Sequence, residues 1–181
     1  MDETGTGQPA GATSPLLTLF AGLVIVLMLA IVAQVVCSQL DINPLATFER
    51  ALPVLGKAVT LNSLLDLQWH LLAIVALLPA GLVWWHDKHV RVDFIYLRLS
   101  TGGRRWVDLV GTLVFTVPFL ALGLPAAWDF TRRAFVSGEG SRSGGLNDLF
   151  LIKAVLPLGL AVLAAVVVVD LIRILWSLRD R

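Results

Sequence analysis

Four long apolar stretches dominate the sequence, and each is long enough to cross a lipid bilayer as a helix. The first, residues 15–36, contains no charged side chain. A helix rises about 1.5 Å per residue, so about 20 apolar residues cross a hydrocarbon core about 30 Å thick. The other stretches lie at residues 67–85, 109–128 and 154–176. We therefore predict an all-α integral membrane protein with four transmembrane helices.

The overall composition agrees with a membrane environment. The chain is 57% hydrophobic and only 15% charged, whereas about 25% of residues are charged in soluble domains. The net charge is only +1 and the basic residues are scattered, so they form no nucleic-acid binding surface. We therefore expect the protein to interact with the lipid bilayer and not with nucleic acid. The single cysteine, Cys37, excludes an intramolecular disulfide and a CxxC redox pair.

Tryptophan and basic residues predict how the helices lie in the membrane. The six tryptophans lie at or near the ends of the apolar stretches, where aromatic belts form: Trp69, Trp84, Trp85, Trp106, Trp128 and Trp176. The second loop and the C-terminal tail together hold seven lysines and arginines, against six in the first and third loops. The second-loop cluster is also denser, so we predict that both termini are cytoplasmic.

The segments between and before the helices carry weaker signals. Residues 1–14 are rich in Gly, Thr, Ser and Ala, and we expect them to be a disordered N-terminal tail preceding a membrane domain at 15–181. The third loop, GEGSRSGGLND at 138–148, predicts a sharp turn because it is rich in Gly and Ser.

The first loop, residues 38–66, is too long for a simple turn. Its apolar side chains recur at steps of three and four residues, which predicts an amphipathic helix between the first and second spans, lying in the membrane interface or against a partner. Pro53 interrupts the pattern, so two short pieces are equally consistent with it. The apolar positions are Leu45, Phe48, Leu52, Leu55 and Val59.

The polar string WWHDKHVRVDFIY at 84–96 raises the question of a haem or metal site. All three histidines lie on or just beyond the second stretch, so no facing helix supplies an opposing haem ligand. Lys88 and Arg91 stand among the metal-ligand side chains and oppose a bound cation. The charged end of a membrane helix explains the string more simply, and we expect no cofactor and no metal. A redox or metal-binding four-helix membrane protein remains the alternative.

Three ionisable side chains lie inside the apolar stretches: His70, Asp170 and Arg173. His70 follows Trp69 near the start of the second stretch, where we favour a neutral, hydrogen-bonded interfacial histidine over a proton relay. Asp170 precedes Arg173 by three residues, a helical spacing at which the two side chains can pair. We prefer this compensated pair to an ion site, because no second carboxylate lies within the stretches.

The motifs of enzymes and complete transporters are missing from the sequence. It contains no nucleophile–base–acid set, phosphate loop or cofactor fingerprint, so we predict that the protein is not an enzyme. No two halves with matching broken helices occur, which argues against a complete secondary transporter. A stand-alone small transporter or channel is a third class, and the pattern favours a module that packs against a partner.

Several motifs occur in order along the chain and together resemble one known family. HVRVD at 89–93 directly follows the second stretch, and YLRLS follows at 96–100. RRWVDLVGTLVF at 104–115 and GEGSRSGGLNDLFLIKAVLPLG at 138–159 continue the likeness, with LQWHL at 67–71 before them. Over about residues 60–160 the chain resembles the small permease subunit (DctQ type) of tripartite ATP-independent periplasmic (TRAP) transporters.

The resemblance implies a multi-pass subunit of the bacterial inner membrane with both termini cytoplasmic. Its partners would be a large TRAP permease subunit, which holds the substrate and Na⁺ sites, and a periplasmic substrate-binding protein. The small subunit would brace the large one during uptake of an organic acid. Asn147 stands where related chains often carry Pro, from which we expect a looser turn. The candidate structural or subunit-interface residues are Trp69, His70, His89, Arg91, Asp93, Glu139, Ser141 and Lys153.

Overall fold

A computed structural model of the chain describes residues 15–85 and 98–179. Residues 1–14 and the HVRVD motif, with the candidates His89, Arg91 and Asp93, lie outside the described residues. The described helices are α1 Pro15–Gln39, α2 Leu61–Leu77, α3 Ala80–Trp85, α4 Thr101–Gly111, α5 Val117–Ser137, α6 Phe150–Lys153 and α7 Val155–Arg179. The two strands are β1 Ala46–Leu52 and β2 Gly56–Val59, and a π-helical turn, Thr112–Thr116, joins α4 to α5.

The prediction of four membrane-spanning helices is confirmed. In the described part of the chain, four helical stretches are long and apolar enough to cross a bilayer: Thr18–Gln39, Leu61–Trp85, Gly102–Ser137 and Phe150–Trp176. The last three are longer than the apolar stretches in the sequence, because each helix continues into polar residues beyond the membrane core. Pro79 separates α2 from α3, since its nitrogen carries no proton to donate to the preceding turn.

The spans pack as a row in which α7 is central. Helix α1 packs against α2, while α2 and α3 pack against one side of α7 and α5 packs against α7 as well. The contact between α1 and α2 includes a polar link, because the Gln68 amide donates to the Ala30 carbonyl and to Gln34 Oε1, each at 3.3 Å. The row order is therefore α1, α2 with α3, α7, and α5.

Glycines allow the central helices to approach closely. A Cβ placed on Gly159 of α7 would lie 2.7 Å from the Leu77 carbonyl oxygen of α2. A Cβ on Gly81 of α3 would lie 2.9 Å from Val162 Cγ1 of α7. Small residues at such contacts are how helices associate in membranes, where packing replaces the hydrophobic effect.

The expected amphipathic helix in the first loop is wrong, because this segment forms an antiparallel hairpin of β1 and β2. Ala46 pairs with Val59 and Thr47 with Ala58, with a register irregularity before Leu52 pairs with Gly56. Pro53 cannot donate a helical hydrogen bond, and it lies at the turn between the strands. The spacing of three and four residues was thus misleading, because the backbone of this segment forms hydrogen bonds between two strands and not within a helix.

We predict that Gly159→Ala destabilises the helix row. The added methyl group would overlap the Leu77 carbonyl, and overpacking of this kind costs about 1–3 kcal/mol. The thermal midpoint of the detergent-purified protein, followed by circular dichroism, should fall by several degrees. Gly22→Ala is the matched control, since nothing lies within 4 Å of its Cβ position on α1. An equal fall in both variants would contradict close packing at Gly159.

Candidate functional site

The tryptophans indicate which part of the fold lies outside the hydrocarbon. Trp106 and Trp128 are 22 residues apart on one continuous helical stretch, about 33 Å, which matches a hydrocarbon core of about 30 Å. The complete stretch Gly102–Ser137 has 36 residues, or about 54 Å, and exceeds the entire bilayer of about 40–45 Å. The end of α5 therefore projects beyond the membrane on the side of the first and third loops.

On that side the hairpin, the start of α2, the third loop and α6 assemble into one structure, which we call the polar cap (residues 46–66 and 138–153). Asp66 lies at its centre. Its Oδ2 accepts a hydrogen bond from the Leu146 backbone N–H at 3.0 Å. Gly145 is buried, and a Cβ there would overlap the Asp66 carboxylate. Only glycine allows the third loop to approach this carboxylate so closely.

The first turn of α2 also holds the third loop. Thr60 and Ser63 form a reciprocal capping box, in which each side chain accepts from the other's backbone N–H. Thr60 Oγ1 additionally donates to the Gly144 carbonyl at 3.1 Å. The Asn62 side-chain amide donates to the Ser143 carbonyl at 2.6 Å. The first turn of α2 thus binds a loop that lies more than 80 residues away in the sequence.

The hairpin turn is tied to the end of the third loop. Val54 has φ of +66°, an unusual conformation for a β-branched residue. Its N–H donates to Asp148 Oδ2 at 3.1 Å, and its carbonyl accepts from the Asn147 N–H at 2.7 Å. A Cβ on Gly56 or Gly140 would approach the Asn147 amide at 2.7 and 2.8 Å. Asn147 therefore supplies a backbone N–H that a proline at this position would lack, and the expectation of a looser third-loop turn stays a prediction.

Three of the candidate residues, Glu139, Ser141 and Lys153, meet in the polar cap. Lys153 Nζ bonds Glu139 Oε2 at 2.5 Å and lies 4.2 Å from the centre of the Phe130 ring. The Ser141 N–H donates to the Leu146 carbonyl at 2.9 Å, and Ser141 Oγ lies 3.0 Å from Ser143 Oγ. These contacts hold the GE-x-S and IK parts of the third-loop motif together.

Trp69 and His70 lie one turn further along α2. Trp69 is 64% exposed, as a side chain in contact with lipid at the interface would be. His70 Nδ1 is hydrogen-bonded to the Asp66 carbonyl oxygen. The structure therefore places a hydrogen-bonded histidine directly below the polar cap.

Asp66, Asn62 and Asp148 were not predicted from the sequence. A weak signal existed for the first two, since the capping pattern Thr60-x-x-Ser63 marks a helix start ahead of the apolar run. The partners of Asp66 and Asn62 are backbone groups of the third loop, about 80 residues away, and the partner of Asp148 is the Val54 N–H of the hairpin turn. No local sequence pattern reveals such pairs.

The predicted Asp170–Arg173 pair, at the end of α7 far from the polar cap, is wrong. Asp170 Oδ2 accepts a hydrogen bond from Trp84 Nε1 of α3 at 3.1 Å. The Arg173 guanidinium lies 4.0 Å from the centre of the Trp85 ring. The two charges therefore contact the two tryptophans of α3, and they join α3 to α7 instead of compensating each other.

The hydrogen bonds of the polar cap join segments that are far apart in the sequence. Among the described residues, no three His, Cys, Asp or Glu side chains gather as metal ligands. Within the same residues, every buried side-chain polar atom has a hydrogen-bond partner. What this arrangement can do is hold helices and loops in a defined position.

Four spanning helices in a row, closed on one side by a polar cap, define a multi-pass helical membrane protein. The chain belongs to the family of DctQ components of tripartite ATP-independent periplasmic transporters, whose family model matches residues 51–176. It is thus a small membrane subunit of a TRAP transporter, and the resemblance of its motifs is confirmed. No curated protein and no solved structure matches the chain. In TRAP systems this component works with a large permease subunit and a substrate-binding protein.

We predict that Asp66→Ala releases the third loop. A hydrogen bond to a charged group contributes about 1.5–3 kcal/mol, so local opening should increase roughly tenfold or more. Trypsin cleavage after the exposed Arg142, measured by mass spectrometry of the fragments, should accelerate accordingly. Glu49→Ala on the exposed face of β1 serves as the control. Unchanged cleavage in Asp66→Ala would show that the loop is held without this carboxylate.

Proposed function

We propose that this chain braces the large permease subunit of a TRAP system in the bacterial inner membrane. The system would take up an organic acid that a periplasmic binding protein delivers, driven by Na⁺. The observation that carries the proposal is the family match, together with the folding of the GEGSRSGGLNDLFLIK motif into the polar cap. The family's most specific segment in this chain builds a scaffold, which suits a bracing role.

The packing supports a rigid subunit. Gly81 and Gly159 bring α2 and α3 into close contact with α7, and Trp84 and Trp85 bond side chains of α7 at the opposite end from the polar cap. A brace must keep its shape while the subunit it supports changes conformation. The helices are held together at the end that carries the polar cap, at the opposite end, and between the two, which meets that requirement.

We further propose that the polar cap faces the periplasm and that both termini are cytoplasmic. The second loop and the C-terminal tail hold seven lysines and arginines in the sequence, including Arg104 and Arg105 in the first two turns of α4, against six in the first and third loops. Basic residues concentrate on the cytoplasmic side of membrane helices. This orientation would place the cap on the side where a binding protein delivers substrate.

Cysteine labelling tests the orientation. In a Cys37→Ser background, Ser143→Cys in the polar cap should react with a membrane-impermeant maleimide in intact spheroplasts. Ser100→Cys at the start of α4 should react only after the membrane is permeabilised. Both side chains are exposed, so a difference in labelling reports the side of the membrane and not burial in the protein. The reverse pattern would invert the proposed topology.

Reconstitution tests the function. Proteoliposomes containing the cognate large permease, this chain and the binding protein should take up organic acid under a Na⁺ gradient. We expect uptake to be lost when this chain is omitted. Uptake by this chain alone would indicate a stand-alone transporter, and a stoichiometric haem or metal in the purified chain would indicate the redox or metal-binding class.

A further inference from the structure

One face of α5 is exposed along the entire helix. Its residues follow one another at steps of three and four, which at about 100° per residue places them within a sector about 80° wide. Leu122 and Val136 are each 76% exposed, and the other members are also exposed. We call this face the outer stripe: Pro118, Leu122, Pro125, Asp129, Arg133 and Val136.

The opposite face of α5 is the one that packs within the subunit. Leu120, Ala127 and Ala134 recur every seven residues and are 8%, 4% and 1% exposed. Thr131 on this side donates to the Lys153 carbonyl at 2.9 Å. The inner face is thus fully used in binding the rest of the chain, and the outer stripe is available.

The outer stripe crosses the boundary between hydrocarbon and water. Leu122 precedes Trp128, which marks the interface, whereas Val136 lies eight residues beyond it, about 12 Å along the axis. Lipid could cover Leu122 but not an apolar side chain that far outside the core. A water-soluble protein could cover Val136 but not Leu122. A single occupant of the stripe must therefore span the membrane and continue beyond it.

The proline inside the stripe favours a protein occupant over lipid. Pro125 lies within α5 and has no N–H, so it leaves a carbonyl of the preceding turn without its helical donor. In a membrane such carbonyls are satisfied by neighbouring helices, side chains or water, and lipid tails have no donors. The most exposed face of α1, by contrast, is aliphatic, with Leu29 62% and Val32 59% exposed.

We propose that the outer stripe of α5 is the surface that binds the large permease subunit, while the exposed face of α1 contacts lipid. This inference rests on the proposed function, and it adds which surface of the chain contacts the permease. Asp129 and Arg133 lie one turn apart, but no ion pair joins them in the described part of the chain. Both charges remain available for partners of opposite sign on the permease.

Photocrosslinking in the assembled transporter tests the assignment. The photoreactive residue p-benzoylphenylalanine replaces Leu122 or Val136 in the stripe and, as exposed controls, Leu29 or Val32 on α1. Adducts with the large permease should form at both stripe positions and at neither control position. Arg133→Glu should lower the amount of co-purified permease at least about tenfold, since a reversed interfacial charge costs several kcal/mol. Arg50→Glu on the exposed hairpin should leave it unchanged.

The other outcomes separate the inference from the proposed function. Permease adducts at Leu29 or Val32 and none in the stripe would overturn the inference and leave the bracing function intact. Adducts of the stripe with lipid only, or with the binding protein only, would also overturn it. If no permease co-purifies with the unmodified chain, the proposed function and the inference fail together.

Discussion

The hydrogen bond between the Asp66 carboxylate and the third loop is the interaction on which the polar cap depends. Asp66 lies at the start of the second span, and Leu146 precedes the fourth, so this bond joins segments on opposite sides of the third span in the sequence. The capping box of Thr60 and Ser63 orients the same helix start, and it allows Thr60 and Asn62 to bind two further carbonyls of the loop. Without this carboxylate the loop would keep two sets of contacts: the bonds from Thr60 and Asn62, and those of Val54 with Asn147 and Asp148.

The bilayer imposes a different constraint on the helices. Because lipid offers no hydrophobic driving force between helices, the row is held by close approach at Gly81 and Gly159 and by the contacts of Trp84 and Trp85 with α7. A row has more outer surface than a closed bundle of the same helices. Much of that surface is apolar, which suits a subunit that shares one side with lipid and another with a larger partner.

The candidate site could be predicted only in part. Glu139, Ser141 and Lys153 were identified from a motif, and the structure brings them together in the polar cap. Asp66, Asn62 and Asp148 were missed because their hydrogen bonds go to backbone groups about 80 or more residues away, which residue type does not reveal. The predicted Asp170–Arg173 pair was wrong for a related reason. Local spacing allowed the pair, but the tryptophans of α3 offered each charge a better partner in a neighbouring helix.

The membrane class, the number of spans and the family could be read from the amino-acid sequence alone. These properties follow from apolar length and from the order of the motifs, and both are local along the chain. Tertiary structure alone decided that the first loop is a hairpin, that the helices form a row, and that the outer stripe of α5 is exposed over its full length. The physical reason is that apolar periodicity marks which side chains avoid water. It does not distinguish a side chain covered by another helix from one covered by lipid or by a partner subunit.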